Sequence, residues 1–356
     1  MPATIGSISL YMGPHHLGGP DDLERVVIDF VDGARSTLDI AVQELESEPI
    51  AEAIIGARQR GVRVRMVLEG DYLIAHQPLD DPFTPAGRHE PNRFLFNALL
   101  RAKIDVRTDY NPAIFHQKFI VRDIAGTRAA LLTGSTNFTP TGTDSNLNHL
   151  VVIDGKSVAG EYADEFAEIW SGTFGTKRER HERKPREPRV AGVKLKPIFA
   201  PDHQPEMEIM KQMLKARTRV DFAIFTFAQS SGVDDAMIAL ARGGIAVRGI
   251  ADARQGNQAW AASRPLAAAG VEFYLASRGA GLNKLHHKLM VIDGQVLVVG
   301  SFNYTEPANL LNDENILVIG DLEETRPESI ARQQALGTYA LTEIDRMIGA
   351  HGRRLT

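Results

Sequence analysis

Two short stretches of the chain carry the same pair of chemically active side chains. HQKFIVRD (116–123) and HHKLMVID (286–293) each contain a histidine, a lysine two residues later and an aspartate five residues after the lysine. Because side chains along a strand alternate between its two faces, each histidine shares a face with its lysine. An imidazole can attack phosphorus or move a proton, and an ammonium group donates charge-assisted hydrogen bonds to phosphate oxygens. Each stretch is therefore a candidate half of a phosphate site.

Two such half-sites that face one phosphate could carry out displacement on a phosphodiester. One histidine would attack phosphorus to form a covalent phosphohistidine, while the opposite histidine protonates the leaving alcohol. The second histidine would then deprotonate a water molecule, which releases the product. We expect Lys118, Lys288, Asn137 and Asn303 to hold the equatorial oxygens as negative charge develops. The scheme needs no metal ion or other cofactor, and a monomer suffices because both half-sites lie on one chain.

The rest of the chain repeats itself as well. ARSTLDIAV (34–42) resembles ARTRVDFAI (216–224), and LLTGSTNFT (131–139) resembles VVGSFNYT (298–305). Short β-branched runs alternate with helical patterns of about 10 to 15 residues, which indicates an α/β fold. We therefore expect two pseudo-two-fold-related α/β/α sandwich units, each built from a mixed sheet flanked by helices.

The repeat also suggests how the chain is divided. We expect one unit over residues 1–175 and a second over residues 191–356. Between them lies TKRERHERKPREPRV (176–190), whose charge and proline content predict a solvated linker, with a phosphate-binding arm as the alternative. The first unit carries an insertion at residues 72–94 that the second lacks, and this insertion is a candidate lid or substrate-selecting loop.

The two HxKx4D motifs, followed by GSTNF and GSFNY, resemble those of the phospholipase D superfamily, and the likeness extends over nearly the whole chain. The resemblance implies a phosphodiesterase that works through a phosphohistidine, with the N-terminal histidine, His116, as the usual nucleophile. The GSTNFTPTG and GSFNYT segments look most like the bacterial nuclease branch. We therefore predict a metal-independent nuclease that acts on DNA or RNA. A phospholipase D or transphosphatidylase that acts on phospholipid headgroups is the alternative.

Asn148 and Glu314 occupy equivalent positions when the two copies are aligned at their Gly-Ser turns. In the superfamily the residue here often accepts a hydrogen bond from the second ring nitrogen of a catalytic histidine. We expect Asn148 behind His116 and Glu314 behind His286. Because a carboxylate raises the pKa of an imidazole, this pairing would make His286 the general acid. A carboxylate could equally strengthen a nucleophile, and Asp144 could replace Asn148 if the loop is displaced.

Other motif residues have less direct roles. Ser135 and Ser301 follow a glycine in a predicted turn, so they could form the turn or contact the phosphate, and we take them as candidate substrate-binding residues. Asp123 and Asp293 lie on the strand face opposite the lysines, where we expect structural hydrogen bonds. His287 also points away from its catalytic neighbours, which predicts packing.

Charge limits how a nucleic acid could bind. The net charge of −5 argues against coating nucleic acid by bulk electrostatics, although a few cations can dominate the potential of a narrow cleft. Arg107, Lys284 and Arg254 are the candidates to line such a cleft. The acidic LESE segment (45–48) would be unfavourable beside a polyanion. We expect nucleic acid as the partner, with phospholipid as the alternative.

The composition excludes some classes of site. The chain has no cysteine, so it can form neither disulfides nor thiolate metal sites. It begins without the basic and apolar pattern of a signal peptide, and no run of 18 apolar residues is present. These features predict a cytoplasmic protein without stable membrane insertion; a secreted protein stays open if a signal peptide has been removed.

Overall fold

The computed structural model describes residues 2–74, 79, 81–177, 184–279 and 281–356. Part of the predicted insertion (75–78 and 80) and part of the predicted linker (178–183) therefore lie outside the described residues.

The first half of the chain contributes eight strands and four α-helices among the described residues. The strands are β1 (Ala3–Ile5), β2 (Ile8–Gly13), β3 (Thr37–Val42), β4 (Arg63–Leu68), β5 (Asp105–Thr108), β6 (Lys118–Arg122), β7 (Ala130–Gly134) and β8 (Asn146–Asp154). The helices are α1 (Leu23–Asp32), α2 (Glu48–Gln59), α3 (Glu90–Arg101) and α4 (Lys156–Ser171).

The second half contributes the remaining described elements. Its strands are β9 (Arg189–Val190), β10 (Val193–Ala200), β11 (Arg219–Ile224), β12 (Ala246–Asp252), β13 (Glu272–Ala276), β14 (Lys284–Leu285), β15 (Lys288–Ile292), β16 (Val296–Gly300), β17 (Glu314–Ile319) and β18 (Gly352–Arg354). Its helices are α5 (Pro205–Met213), α6 (Gly232–Arg242), α7 (Ala253–Gly256), α8 (Ser263–Ala268), α9 (Glu306–Leu310) and α10 (Pro327–His351).

The strands form two mixed sheets of the same design. The first has the order β1-β2-β8-β7-β6-β3-β4-β5, and the second has the order β18-β13-β12-β11-β15-β16-β17-β10-β9. In each, three neighbouring strands run parallel (β3, β4, β5 and β11, β12, β13), and the strand that begins with the motif lysine (β6 or β15) pairs antiparallel with the first of them. The predicted pair of related α/β units is confirmed.

Local signals fix where the helices on the first sheet begin. The Asp22 side chain accepts a hydrogen bond from the Arg25 backbone N–H at the start of α1, and Ser47 does the same for Ile50 at the start of α2. Such caps satisfy backbone donors that have no partner within the helix. Both helices bury one apolar face, so they cover the outer face of the sheet.

The two halves share one apolar core at their interface. Phe115 and Phe119 from the first half lie in the same buried cluster as Leu285 and Leu289 from the second. The short strand β14 leaves the second half to pair with β8 of the first sheet. The halves are therefore packed as one body, with the two histidine–lysine motifs at the seam.

The predicted linker is more ordered at its end than its composition suggests. Residues 189–190 form strand β9, which pairs with β10 at the edge of the second sheet. Just before it, the Glu187 carboxylate lies 2.7 Å from Lys194 Nζ and 2.9 Å from Lys196 Nζ. The described end of this segment is thus held to the second half rather than freely solvated.

Candidate active site

Each motif histidine, His116 or His286, is positioned by the opposite half of the chain. The His116 backbone N–H donates to the carbonyl oxygen of Asp313 at 2.9 Å, and the His286 backbone N–H donates to that of Leu147 at 2.9 Å. These contacts bring the rings together with their centroids 6.5 Å apart and their planes at 70°. A phosphate group bound between the rings at this separation would lie within reach of both imidazoles. The two rings can therefore flank a single phosphate.

The acceptors behind the two rings are crossed relative to the sequence prediction. His116 Nδ1 lies 2.7 Å from Glu314 Oε2, and His286 Nδ1 lies 3.0 Å from Asn148 Oδ1. The predicted pairs, His116 with Asn148 and His286 with Glu314, are wrong. The physical reason is the way the two halves pack, because each histidine-bearing segment runs beside the strand of the other half that carries the acceptor. Asp144 does not replace Asn148; it contacts His16 instead.

Ser135 and Ser301 hold these acceptors and do not face the substrate. The Ser135 hydroxyl donates to Asn148 Oδ1 at 2.7 Å, and the Ser301 hydroxyl donates to Glu314 Oε2 at 2.6 Å. Both serines are fully buried behind the histidine rings. The prediction that they bind substrate is therefore wrong, because their hydroxyls are occupied in orienting the catalytic pairs.

The two motif lysines are buried at the start of their strands. Lys118 Nζ donates to Gln43 Oε1 at 3.0 Å and to the His116 carbonyl oxygen at 2.7 Å. Lys288 Nζ donates to the His286 carbonyl oxygen at 2.8 Å. These bonds hold each ammonium group beside its own histidine, as the two-residue spacing on a strand predicts.

Burial controls the protonation of the site. It lowers the pKa of both catalytic imidazoles, and repulsion from Lys118 and Lys288 lowers it further. It also lowers the pKa of Lys118 to about 7, although the attraction of Glu314 opposes the shift. Burial raises the pKa of the Glu314 carboxyl to about 8, against the attraction of Lys118. A bound phosphate anion would favour the protonated lysines and imidazoles, so ligand binding and proton binding are coupled here.

Asp123 and Asp293 organise the backbone away from the histidines. The Asp123 carboxylate accepts hydrogen bonds from the backbone N–H groups of Arg35, Ser36 and Thr37 and from the Ser36 hydroxyl. Asp293 makes the equivalent set in the second half, with the backbone N–H groups of residues 217–219 and the Thr218 hydroxyl. The structure thus gives both aspartates the structural contacts that their strand face predicts.

Two further acidic residues support the histidine-bearing segments. Glu69 Oε2 accepts the Phe115 backbone N–H at 2.6 Å, and Asp252 Oδ2 accepts that of Leu285 at 3.2 Å. In each half the bonded residue directly precedes the catalytic histidine. The sequence prediction did not single these carboxylates out, although VLEGD and IADAR align in the repeat with an acidic residue at this position.

The remaining motif residues lie at the edge of the site or beneath it. Asn137 Nδ2 donates to Gln43 Oε1 at 3.4 Å, and Asn303 Oδ1 accepts the Thr226 backbone N–H at 3.3 Å. Their contact with phosphate oxygens stays a prediction. His287 is buried and stacks on His149 with 5.4 Å between ring centroids, which agrees with a packing role.

Of the three predicted cleft cations, Lys284 acts electrostatically on residues of the site. It acts on Glu44, His286 and Lys288, and its Nζ lies 5.7 Å from the centre of the Phe225 ring. Arg107 instead stacks over Trp170 at 4.1 Å and donates to its carbonyl oxygen, so its placement in the cleft is wrong. Arg254 lies within α7 and is exposed.

Within the described ranges, no group of three or more histidine, aspartate or glutamate side chains is arranged to hold a metal ion. None of the described helices is both long enough and apolar enough to cross a membrane.

Comparison with known proteins places this geometry in a family. The family model described as "Cardiolipin synthase, PLD-like domain" matches residues 27–170 and 209–328, which is well over half of the chain. The protein is 29% identical over 137 residues to a mitochondrial cardiolipin hydrolase of Xenopus tropicalis, covering 38% of this chain and 56% of that one. It is also 29% identical over 143 residues to a phospholipase D of Rickettsia felis, covering 40% and 62%.

These matches thus span little more than half the length of the curated relatives. Among solved structures, phosphatidylserine synthase of Haemophilus influenzae Rd KW20 matches 98% of this chain and 87% of its own, with a TM-score of 0.67 and 14% identity. That likeness shows a shared fold. The chain belongs to the phospholipase D superfamily, through its PLD-like domains.

Proposed function

We propose that the protein is a metal-independent phosphodiesterase that forms a covalent phosphohistidine on His116. The observation that carries this proposal is the crossed pairing across the seam, in which Glu314 lies behind His116 and Asn148 behind His286. The two rings then face each other with different electrostatic support, so they are suited to different steps.

His116 is suited to be the nucleophile. Once the Glu314 carboxyl, with its pKa of about 8, is ionised and accepts the Nδ1–H of His116, Nε2 keeps the lone pair that can attack phosphorus. The ring becomes positively charged when Nε2 is phosphorylated, and the carboxylate stabilises that charge. His116 is thus the proposed nucleophile, as the family resemblance implies, although the acceptor behind it is Glu314 and not Asn148.

His286 is suited to move the proton. As phosphorus bonds to His116, the bond from phosphorus to the alcohol oxygen breaks, and His286 Nε2–H gives its proton to that oxygen. The neutral imidazole then takes a proton from water, the resulting hydroxide attacks phosphorus, and the bond to His116 breaks. Lys118 and Lys288 stabilise the negative charge on the non-bridging oxygens in both steps.

A chromogenic diester separates the two steps. Bis(4-nitrophenyl) phosphate has a leaving group that needs little proton assistance, so phosphorylation should proceed without His286. We expect His286→Ala to release one equivalent of nitrophenolate in EDTA and then stop, with a 4-nitrophenyl phosphoryl group on His116 detected by mass spectrometry. His116→Ala should give no burst, while its thermal unfolding confirms that it is folded. Phosphate trapped on His286 of the wild-type protein would refute this assignment of roles.

Two substrate classes are candidates within this chemistry. The nuclease prediction is supported by Lys284, which adds a third cation beside the two catalytic lysines. The phospholipid alternative is supported by the names of the curated relatives and by the position of Arg107, which is engaged by Trp170. Incubation with single-stranded DNA, duplex DNA, RNA and phosphatidylcholine, all in EDTA, tests them together. Strand cutting that weakens steeply with salt would support the nuclease, since phosphate contacts release counterions.

A further inference from the structure

The two walls of the active site differ although the repeat makes them equivalent. Val42 pairs with Lys118 in the first sheet, and Ile224 pairs with Lys288 in the second. The next two residues along each strand are Gln43 and Glu44 in the first half, but Phe225 and Thr226 in the second. Equivalent backbone positions therefore present an amide and a carboxylate on one wall, and an aromatic ring and a hydroxyl on the other.

The wall of the second half is largely apolar. The Phe225 ring lies 4.9 Å from the His286 ring, centroid to centroid, and 5.1 Å from Lys288 Nζ. An aromatic face attracts these cations but offers no strong hydrogen-bonding group. On this side, selection of a substrate rests on shape and apolar contact.

The wall of the first half is a hydrogen-bonded assembly. Gln43 accepts from Lys118 and donates through Nε2 to the Tyr72 hydroxyl at 3.0 Å. Tyr72 stacks on His89 with 4.2 Å between ring centroids. These two aromatic residues lie near the two ends of the 72–94 insertion, so the base of the insertion is fixed beside the catalytic lysine.

Glu44 is the acidic member of this wall. Burial raises the pKa of its carboxyl, while the attraction of Lys118 and Lys284 and hydrogen bonds to Tyr72 and Asn137 favour the ionised form. The Glu44 carboxyl thus lies beside Asn137, whose buried Oδ1 has no hydrogen-bond partner within the part of the chain that the structure describes. A carboxyl group and an unbonded amide oxygen therefore lie together at the edge of the site. A group that binds there must donate hydrogen bonds, and a second phosphate would be repelled.

We propose that Glu44 and Asn137, supported by Tyr72, form a subsite for a hydroxyl or primary ammonium group carried by the alcohol part of the diester. The subsite selects diesters of ethanolamine or glycerol over those whose alcohol has no donor. It also disfavours a polynucleotide, whose next phosphate would approach the carboxylate. This inference rests on the proposed phosphodiesterase for its biological meaning, but the binding it predicts can be measured without catalysis.

Isothermal titration calorimetry tests the subsite directly. O-phosphoethanolamine and glycerol 1-phosphate carry a hydrogen-bond donor on their alcohol part, an ammonium and a hydroxyl group respectively. Ethyl phosphate and phosphocholine carry the same phosphate, but their alcohol part has neither an N–H nor an O–H group. We expect the wild-type protein to bind the donor-bearing ligands about ten- to a hundredfold more tightly than ethyl phosphate, the range of a hydrogen bond to a charged group. Equal affinity of wild-type protein for phosphoethanolamine and ethyl phosphate would overturn the proposal.

Variants assign the preference to Glu44. Glu44→Thr introduces the residue that the second half has at the equivalent position, and Glu44→Gln keeps the side-chain volume. An effect that appears in only one of the two variants would indicate a folding defect and not the loss of the carboxylate. Both should reduce the ratio of the two affinities to near one. Glu48→Gln, which removes the same charge from an exposed position on the same segment, should preserve the ratio. A ratio that persists in both Glu44 variants would remove Glu44 from the subsite.

The turnover experiment distinguishes this proposal from the proposed function. Lack of wild-type hydrolysis of bis(4-nitrophenyl) phosphate would count against the enzyme, whereas the affinity ratio would still decide the subsite. With an active enzyme, phosphatidylethanolamine in mixed micelles should have a higher kcat/KM than phosphatidylcholine, and Glu44→Thr should abolish the difference. Faster cutting of single-stranded DNA than of either lipid, together with slower DNA cutting by Glu44→Thr, would overturn the inference.

Discussion

The substitution Glu314→Gln tests the division of labour between the two histidines. Above the Glu314 pKa of about 8 it removes the negative charge behind His116, and it keeps an oxygen that can accept the Nδ1–H, so the comparison with wild type is made at pH 9. The other half of the protein shows how an amide fits at the equivalent position. Asn148 Oδ1 accepts from both His286 and Ser135, while its Nδ2 donates to the Gly142 carbonyl oxygen at 2.8 Å. A glutamine at position 314 can accept from His116 and Ser301 in the same way.

The expected effect follows from the change of acceptor charge. A hydrogen bond to a charged group contributes ~1.5–3 kcal/mol, against ~0.5–1.5 kcal/mol for a neutral pair. The variant should therefore lose about 1–2 kcal/mol of stabilisation as the ring of His116 becomes cationic. At 1.36 kcal/mol for each tenfold change in rate, phosphorylation should slow about five- to thirtyfold.

Stopped-flow release of nitrophenolate from bis(4-nitrophenyl) phosphate measures that step. Glu314→Gln should slow the burst, whereas Asn148→Ala should mainly slow the later steady phase, in which His286 activates water. Urea unfolding of both variants serves as the check on folding. If Glu314→Gln left the burst rate unchanged and Asn148→Ala slowed it, His286 would be the nucleophile and the reasoning would be refuted.

Three further outcomes follow from the same structure. Asn148→Asp places a carboxylate behind His286 and should raise the pKa of the His286 imidazole. The basic limb of the kcat–pH profile should therefore shift to higher pH by about one unit or more, and an unchanged profile would contradict the pairing of residue 148 with His286. Binding of dimethyl phosphate at pH 8 should be accompanied by proton uptake, because Lys118, with a pKa of about 7, is largely neutral before the anion binds. Calorimetry in buffers of different ionisation enthalpy measures the number of protons taken up. No uptake is expected if Lys118 stays neutral. Asp123→Asn should lower the free energy of unfolding by about 1.5–3 kcal/mol at pH 7 in urea titrations. Because hydrogen bonds lower the pKa of Asp123, its contribution is present above the unfolded value of about 3.9 and is lost as pH falls, so the difference between wild type and variant should shrink at lower pH.

The repeat made the fold and the two histidine–lysine pairs predictable. An internal duplication fixes equivalent elements without any knowledge of their packing, and strand alternation then places His116 with Lys118 and Asp123 on the opposite face. The same alternation accounts for the buried position of His287. These features depend on local periodicity, which a sequence displays directly.

The crossed acceptors could not be read from alignment alone. Alignment shows that Asn148 and Glu314 are equivalent, but not which histidine each one contacts, because that depends on how the two halves meet. The buried serines were misassigned for a related reason, since a turn residue can face the ligand or the layer behind it. Arg107 was misplaced because its attraction to Trp170, which is distant in sequence, is a tertiary contact.

The positions of Glu44 and Glu69 at strand ends mark both residues in the sequence as candidates for the site. Each stands at or just beyond the end of a parallel strand, where loops of such folds gather around a site. Glu69 has an acidic counterpart in the second copy, and Glu44 has none. Agreement between copies marks a shared structural task, and disagreement marks a place where the copies have specialised.

The crossed pairing also bears on why both copies belong to one polypeptide. In a symmetric dimer of single-motif chains, the two acceptors would be chemically identical by necessity, and neither histidine could be favoured for either step. When both copies lie on one polypeptide, the two acceptors need not be identical, since residues 148 and 314 are encoded separately. Residue 148 is an amide, Asn, and residue 314 is a carboxylic acid, Glu. Cutting the chain between the copies and letting the fragments separate would deprive both imidazoles of their orienting groups at once.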